Sequence, residues 1–146
     1  GVADEEVLTA ALWHDALEDS RLTRAFLEFQ FGPNLAGIVD RLSKSNVWVT
    51  RYCKAKGAAD HLESGLEQSP QAAVIKIADR LHNVITIHGF APTKQAVYLR
   101  ETEQFLLPLF RRWLNDERLR PYRQSMQRLI ERLEAEIVKQ RTQECL

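Results

Sequence analysis

The sequence has little cysteine, no long apolar run and no excess of charge of either sign. Its two cysteines, Cys53 and Cys145, are far apart and form no CxxC pair, which favours a reduced, cytoplasmic setting. No apolar stretch approaches membrane-spanning length, and no signal peptide is visible. The 20 basic and 20 acidic residues balance, which argues against a general nucleic-acid binder. These absences leave an intracellular globular protein as the prediction.

Alternating strand patterns are also scarce, so the sequence predicts an all-α fold. With 146 residues and 45% hydrophobic content, residues 1–146 can bury one core and are predicted to form one domain. Helices are predicted near residues 4–18, 23–31, 33–43, 50–66, 70–88, 93–114 and 118–142. Pro108 should kink or break the sixth helix around Leu106 and Leu107.

The long C-terminal helix predicted at 118–142 is amphipathic. Its apolar residues recur at steps of three and four: Leu119, Tyr122, Met126, Leu129, Ile130, Leu133 and Ile137. One interpretation is that this stripe packs on the protein's own core. The alternative is a homodimer formed through this helix.

Four polar residues, His14, Asp15, Glu18 and Asp19, interrupt the apolar periodicity of the first predicted helix. On a continuous helix His14 would lie over Glu18 and Asp15 over Asp19, so one imidazole and three carboxylates would share a patch. The carboxylates repel one another, and acids are disfavoured near a helix C-terminus. A bound divalent cation would reverse both penalties.

The segment 70–87 reads as a buried helix, because it starts with Pro70 and is apolar on most of its surface. Its polar residues Lys76, Asp79, Asn83 and Thr86 form one stripe. A buried carboxylate at Asp79 needs a cation partner, which is either Arg80 or a metal shared with His14 and Asp15. Imidazole and carboxylate ligands suit Mn, Fe(II), Mg or Zn, and the carboxylate-rich balance favours Mn²⁺.

Together the two motifs resemble the HD-domain superfamily, specifically its RelA/SpoT-type alarmone hydrolase branch. The chain has the pairs His14-Asp15 and Glu18-Asp19, followed by ADRLHN at residues 78–83, and the similarity extends from about Asp4 to Thr86. The resemblance implies a helical HD-domain bundle. It also implies roles for single residues: His14, Asp15 and Asp79 as metal ligands, Glu18 and Asp19 as the acid/base pair, and Asn83 and Thr86 as nucleotide contacts.

The implied reaction removes the 3′-pyrophosphate of (p)ppGpp to give GDP or GTP. A divalent cation activates water and offsets phosphoryl charge, while carboxylates move protons. Such a polyanionic substrate needs a basic counterpart, and residues 44–56 contain four basic residues and no acid. Arg51 and Lys54 are predicted to approach the phosphates. The alternative is an ordinary solvated basic face.

The sequence departs from the family pattern at one metal ligand. The family's metal is also held by a histidine upstream of the His-Asp pair, and no histidine precedes His14. Because the sequence starts at Gly1 without an initiator Met, we expect that an N-terminal segment carrying this ligand is missing. The alternative is a complete chain with a degenerate site.

Two other functions fit the same motifs. One is an HD hydrolase of another phosphorylated nucleotide, such as NADPH or an adenosine pyrophosphate. The other is a non-catalytic module that binds a nucleotide or a protein partner. The Glu18-Asp19 pair favours an enzyme, because a binding module has no evident need for an acid/base pair. Nothing after residue 115 resembles a nucleotidyltransferase domain, so a free-standing alarmone hydrolase is preferred, although excision from a longer protein would look the same.

Overall fold

The computed structural model describes residues 4–42 and 69–144, and every regular element in these ranges is helical. This confirms the predicted all-α fold. The chain divides into two compact units, Gly1–Lys76 and Ile77–Leu146. The predicted helix at 50–66 lies outside the described residues.

The described part of the first unit begins with four helices. They are α1 (Glu5–Leu12), α2 (Ala16–Asp19), α3 (Arg24–Phe31) and α4 (Pro33–Leu42). Asp4 caps α1 by accepting hydrogen bonds from two backbone N–H groups, and Thr23 caps α3 in the same way with one. Gly32 separates α3 from α4 at a φ of 87°, which favours glycine.

The core of the first unit forms around α4. Its apolar side chains Leu35, Ala36, Ile38, Val39 and Leu42 are buried. Helices α1 and α3 both contact α4 and contribute the buried residues Val7, Ala10 and Leu27. Trp13 and Phe31 extend this packing, with ring centroids 5.2 Å apart. The predicted helices at 23–31 and 33–43 are therefore confirmed.

Helix α5 (Pro70–Ile85) matches the predicted buried helix, because its apolar residues from Ala72 to Val84 are largely buried. A short 3₁₀ turn, Ile87–Gly89, follows it. Helix α6 (Pro92–Glu101) then continues through a π-helical turn, Thr102–Leu106, into α7 (Leu107–Trp113). Pro108 lacks the N–H that a regular α-helix would use there, so the irregularity falls where the proline predicts it.

The C-terminal region comprises a 3₁₀ segment, Glu117–Tyr122, and the long helix α8 (Arg123–Glu144). Most of the apolar stripe is buried within the chain, since Leu119, Met126, Ile130, Leu133 and Ile137 are all buried. Self-packing is thus the interpretation that agrees with the structure. The regular α-helix starts later than predicted, since Pro121 falls in the preceding 3₁₀ turn.

The predicted single helix at 4–18 is wrong. Helix α1 ends at Leu12, and residues 13–15 form a turn before α2 begins at Ala16. The Trp13 N–H bonds back to the carbonyls of Thr9 and Ala10, and the Ala16 N–H bonds to the Trp13 carbonyl. This turn contains the His-Asp pair.

Candidate active site

His14 itself provides a physical reason for the break between α1 and α2. Its Nδ1 lies 2.7 Å from the Ala11 carbonyl oxygen. In a continuous α-helix that carbonyl would accept the N–H of Asp15, four residues on. The imidazole supplies a competing donor, as side chains often do near helix ends. The spacing of the apolar residues does not reveal this competition, so the break in the helix could not be predicted from it.

The turn brings His14 and Asp15 face to face, with Nε2 of His14 3.0 Å from Oδ2 of Asp15. Neighbouring residues on a regular helix point in different directions and do not make this contact. The expected stacking of His14 over Glu18 and Asp15 over Asp19 depended on a continuous helix. The structure shows a direct His14-Asp15 contact, whereas the side chains of Glu18 and Asp19 lie outside the described residues.

The protonation of His14 determines what this pair can bind. A carbonyl only accepts hydrogen bonds, so Nδ1 must be the donor to Ala11. A neutral ring then presents the lone pair of Nε2 beside the carboxylate of Asp15, and two electron-rich groups face each other. A cation relieves this repulsion, either as a proton on Nε2 or as a metal ion bound by both groups. Nε2 of His14 and the carboxylate of Asp15 therefore suit a divalent metal. Histidine ligands of metals commonly have their other ring nitrogen hydrogen-bonded, as Nδ1 of His14 is here.

Glu18 and Asp19 form the last turn of α2, which ends at Asp19 with Ser20 as its C-cap. Their place at the end of a helix agrees with the sequence expectation, and their side chains lie outside the description. Among the described side chains, no group of three or more His, Cys, Asp or Glu residues is placed to hold a metal. Among the described side chains, the candidate metal ligands of the first motif are thus two neighbouring residues, His14 and Asp15.

Asp79 and Asn83 form a second pair, one turn apart on α5. Nδ2 of Asn83 donates to Oδ1 of Asp79 over 2.7 Å, and both residues are partly buried. The family resemblance implied only a nucleotide contact for Asn83. The structure shows in addition that its amide orients the Asp79 carboxylate, which leaves the Asn83 carbonyl oxygen as the group able to accept another bond.

Arg80 was the candidate protein partner for Asp79. Its guanidinium carbon lies 4.0 Å from the centroid of the Tyr98 ring, so the cation stacks on an aromatic face. Burial raises the pKa of Tyr98, and the negative charge of Asp79 acts in the same direction. The positive charge of Arg80 and hydrogen bonds with Arg80 and Asn83 oppose this rise without cancelling it. The phenol therefore stays protonated at neutral pH beside the Asp79-Asn83 pair.

Thr86 and the basic residues complete the predicted set. The Thr86 hydroxyl is exposed and donates to the His82 carbonyl over 2.9 Å, so its oxygen retains the capacity to accept. Arg51 and Lys54 lie outside the described residues. Tyr98 was absent from the prediction, because one tyrosine on an otherwise unremarkable helix gives no sequence signal. Its position one helix after the ADRLHN motif was the only available hint.

A model of the HD domain matches residues 2–113 of this sequence, which is more than half of the chain. The chain belongs to the HD-domain family. The His14-Asp15 turn and the Asp79-Asn83 pair both lie within the matched residues of this HD domain. The family predicted from the two motifs is therefore confirmed.

Curated relatives of this HD domain are much longer proteins. One is a probable guanosine-3′,5′-bis(diphosphate) 3′-pyrophosphohydrolase of Synechocystis, 32% identical over 112 residues, covering 75% of this chain and 15% of that protein. The bifunctional (p)ppGpp synthase/hydrolase SpoT of Escherichia coli is 34% identical over 111 residues, which are 75% of this chain and 16% of that protein. A probable GTP pyrophosphokinase of Mycobacterium leprae is 35% identical over 109 residues, covering 75% and 14% respectively. The chain thus spans about a sixth or less of the curated relatives it matches.

Within residues 4–42 and 69–144, no helix combines the length and the apolar character needed to cross a bilayer.

Proposed function

We propose that the chain is a metal-dependent nucleotide pyrophosphohydrolase that removes the 3′-pyrophosphate of (p)ppGpp, giving GDP or GTP and pyrophosphate. The observation that carries the hydrolase proposal is the His14-Asp15 pair, whose donor groups call for a cation within an HD domain. The substrate is inferred from relatives whose names state this reaction. HD-domain hydrolases depend on a divalent metal, and Mn²⁺ is our choice because carboxylates are plentiful in the proposed set.

In this proposal His14, Asp15 and Asp79 hold the metal. A divalent cation supplies Lewis acidity toward a phosphoryl oxygen and lowers the pKa of water. Glu18 and Asp19 orient the attacking water and move protons. Asn83 keeps the Asp79 carboxylate in place through its amide and offers its carbonyl oxygen to the nucleotide.

The remaining polar residues are assigned to substrate binding. Thr86 offers its hydroxyl oxygen to the nucleotide, since its proton is already donated to His82. Arg51 and Lys54 are proposed to neutralise phosphate charge. Asp79 and Asn83 belong to the ADRLHN motif, so their assignment depends on sequence likeness as well as on the 2.7 Å contact.

The proposal extends to the setting and assembly of the protein. A cytoplasmic location agrees with a sequence that has only two cysteines, far apart and without a CxxC motif. A homodimer through α8 remains a prediction. Because the apolar stripe of α8 is already buried, such a dimer would have to use the other side of that helix.

The decisive experiment measures Mn²⁺-dependent release of pyrophosphate from guanosine tetraphosphate. The proteins compared are this chain, a form extended through any residues that precede Gly1 in its gene, and Asp79→Ala in each. Glu131→Ala, at an exposed acid of α8, is the matched control. We expect release that is abolished by Asp79→Ala and unchanged by Glu131→Ala.

Each other outcome has a defined meaning. Release by the extended form alone would place a necessary ligand upstream of Gly1. If the protein hydrolysed NADPH but not guanosine tetraphosphate, the proposed hydrolase activity would stand and the proposed substrate would be wrong. If no folded form hydrolysed either nucleotide in the presence of Mn²⁺, the proposed function would be wrong.

A further inference from the structure

Trp13 is the C-cap of α1 and the first residue of the turn that carries His14 and Asp15. Its φ and ψ are −104° and 6°, and those of Asp15 are −96° and 1°. A continuous α-helix has a φ of about −63° and a ψ of about −42°. Because neighbouring side chains on a regular helix point in different directions, the contact between His14 and Asp15 requires this departure from helical angles.

The backbone of Trp13 closes this turn from both sides. Its N–H bonds back to two carbonyls of α1, each over 3.2 Å. Its own carbonyl accepts the N–H of Ala16 over 2.9 Å, and that bond encloses His14 and Asp15. A shift of the Trp13 backbone would therefore move both candidate metal ligands.

The side chain of Trp13 is anchored on a neighbouring helix. Its ring packs on Phe31, with centroids 5.2 Å apart and planes inclined by 51°. Phe31 is the last residue of α3, directly before Gly32, whose φ of 87° separates α3 from α4. Helix α3 itself packs on α4, and its Leu27 is fully buried. The ring contact thus joins the turn to a well-packed part of the fold.

The backbone angles of Trp13 couple this ring contact to the turn. Backbone conformation sets the direction of a side chain, so a return of residue 13 to helical angles would redirect the indole relative to Phe31. The continuous helix is the competing structure, because the Asp15 N–H would then bond to the Ala11 carbonyl that His14 now takes. The Trp13-Phe31 contact favours the turn over that helix.

We propose that Trp13 is a positioning residue of the proposed active site: through its contact with Phe31 it holds the turn in which His14 and Asp15 face each other. The inference rests on the proposed function, because it takes these two residues to be metal ligands. Trp13 contacts neither metal nor substrate in this role. It raises the fraction of molecules whose turn is ready to bind, and the apparent affinity for the metal is proportional to that fraction.

The first measurement is Mn²⁺ affinity, by electron paramagnetic resonance titration of the substrate-free chain and of its N-terminally extended form. Trp13→Ala and Phe31→Ala each remove the ring contact, and the second leaves the helix propensity of residue 13 unchanged. We expect each variant to raise the Kd for Mn²⁺ by about threefold to tenfold, which matches the contribution of an aromatic pair.

Three further variants calibrate this effect. Trp13→Phe keeps a ring that faces Phe31 and should stay within about twofold of wild type. Phe29→Ala is the matched control, because Phe29 lies on the same helix as Phe31 and is 87% exposed, and it should leave the Kd unchanged. His14→Ala shows the loss expected when a ligand is removed.

The second measurement needs no metal. The three-bond coupling between the amide and Cα protons of Asp15 reports its φ, which is −96° in the turn. This coupling should fall in Trp13→Ala and Phe31→Ala, as Asp15 moves toward the helical φ of about −63°, and stay unchanged in Phe29→Ala. A merely structural tryptophan would lower the melting temperature without changing the coupling or the Mn²⁺ affinity of the folded form.

The failure of this inference and that of the proposed function give different results. If wild type binds Mn²⁺ and His14→Ala does not, unchanged affinity and coupling in folded Trp13→Ala overturn the positioning role alone. In the double variant Trp13→Ala with Phe31→Ala, the loss of affinity should not exceed that of the worse single variant, and additive losses overturn the path through Phe31. If wild type and its extended form bind no Mn²⁺, the proposed metal site is wrong, and the coupling of Asp15 still decides whether Trp13 holds the turn.

Discussion

At the residue scale, the role of Asn83 in the structure differs most from the role that the sequence predicted for it. A residue that only contacted the nucleotide would affect substrate binding and leave the metal untouched. In the structure its amide donates to Asp79 over 2.7 Å, so it also fixes a proposed metal ligand. The sequence could place both residues on one face of a helix, but it could not show which partner the amide chooses.

We therefore expect Asn83→Leu to weaken Mn²⁺ binding by about tenfold, since the carboxylate loses the donor that orients it. The measurement is Mn²⁺ titration without substrate, followed by kcat and KM for guanosine tetraphosphate. Asn83→Asp is the informative companion, because it keeps the size of the side chain and replaces the donor by an acceptor. A raised KM with unchanged Mn²⁺ affinity would show that Asn83 serves the nucleotide alone.

At the element scale, the sequence predicted the helices with strong apolar periodicity and failed where a side chain competed with the backbone. Helices α3 and α4 follow their stripes and their capping signals, Thr23 and Gly32, and end close to the predicted positions. The first helix breaks after Leu12, because His14 takes the carbonyl of Ala11. The failure coincides with the candidate site, where local structure serves a purpose other than continuing the helix.

The 3₁₀ segment Glu117–Tyr122 allows a prediction of pH dependence. Its N-cap, Asp116, accepts from the backbone N–H and the guanidinium of Arg118, and these bonds lower the pKa of Asp116 from its usual 3.8 to about 2. A lowered pKa in the folded state contributes stability above the unfolded value. That contribution is lost as the pH falls through about 2.

The matching variant is Asp116→Asn, which retains a capping oxygen and loses the charge. We expect wild type to exceed the variant in free energy of unfolding at neutral pH, and the difference to shrink as the pH approaches 2. Urea unfolding at several pH values measures both quantities. A difference that is independent of pH would show that the Arg118 interactions do not depend on ionisation of Asp116.

At the scale of the whole molecule, the sequence predicted a helical HD domain, but the division of the chain into two compact units was beyond it. Periodicity reports which face of an element is apolar and says nothing of which other element covers it. The C-terminal stripe illustrates this, because self-packing and dimerisation require the same apolar pattern. Burial favours self-packing for residues such as Leu133, which is fully buried within the single chain.

That burial predicts different behaviour for two residues on α8. Leu133 is 0% exposed and Val138 is 65% exposed. Leu133→Ala should lower the free energy of unfolding by about 2–5 kcal/mol through the cavity it leaves, whereas Val138→Ala should stay within about 0.5 kcal/mol. Light scattering over a range of concentrations should give the same mass for both variants and wild type. If Leu133→Ala instead reduced the mass and left the unfolding free energy nearly unchanged, the stripe would be an interface between copies, because a side chain buried in its own core cannot be lost without a stability cost.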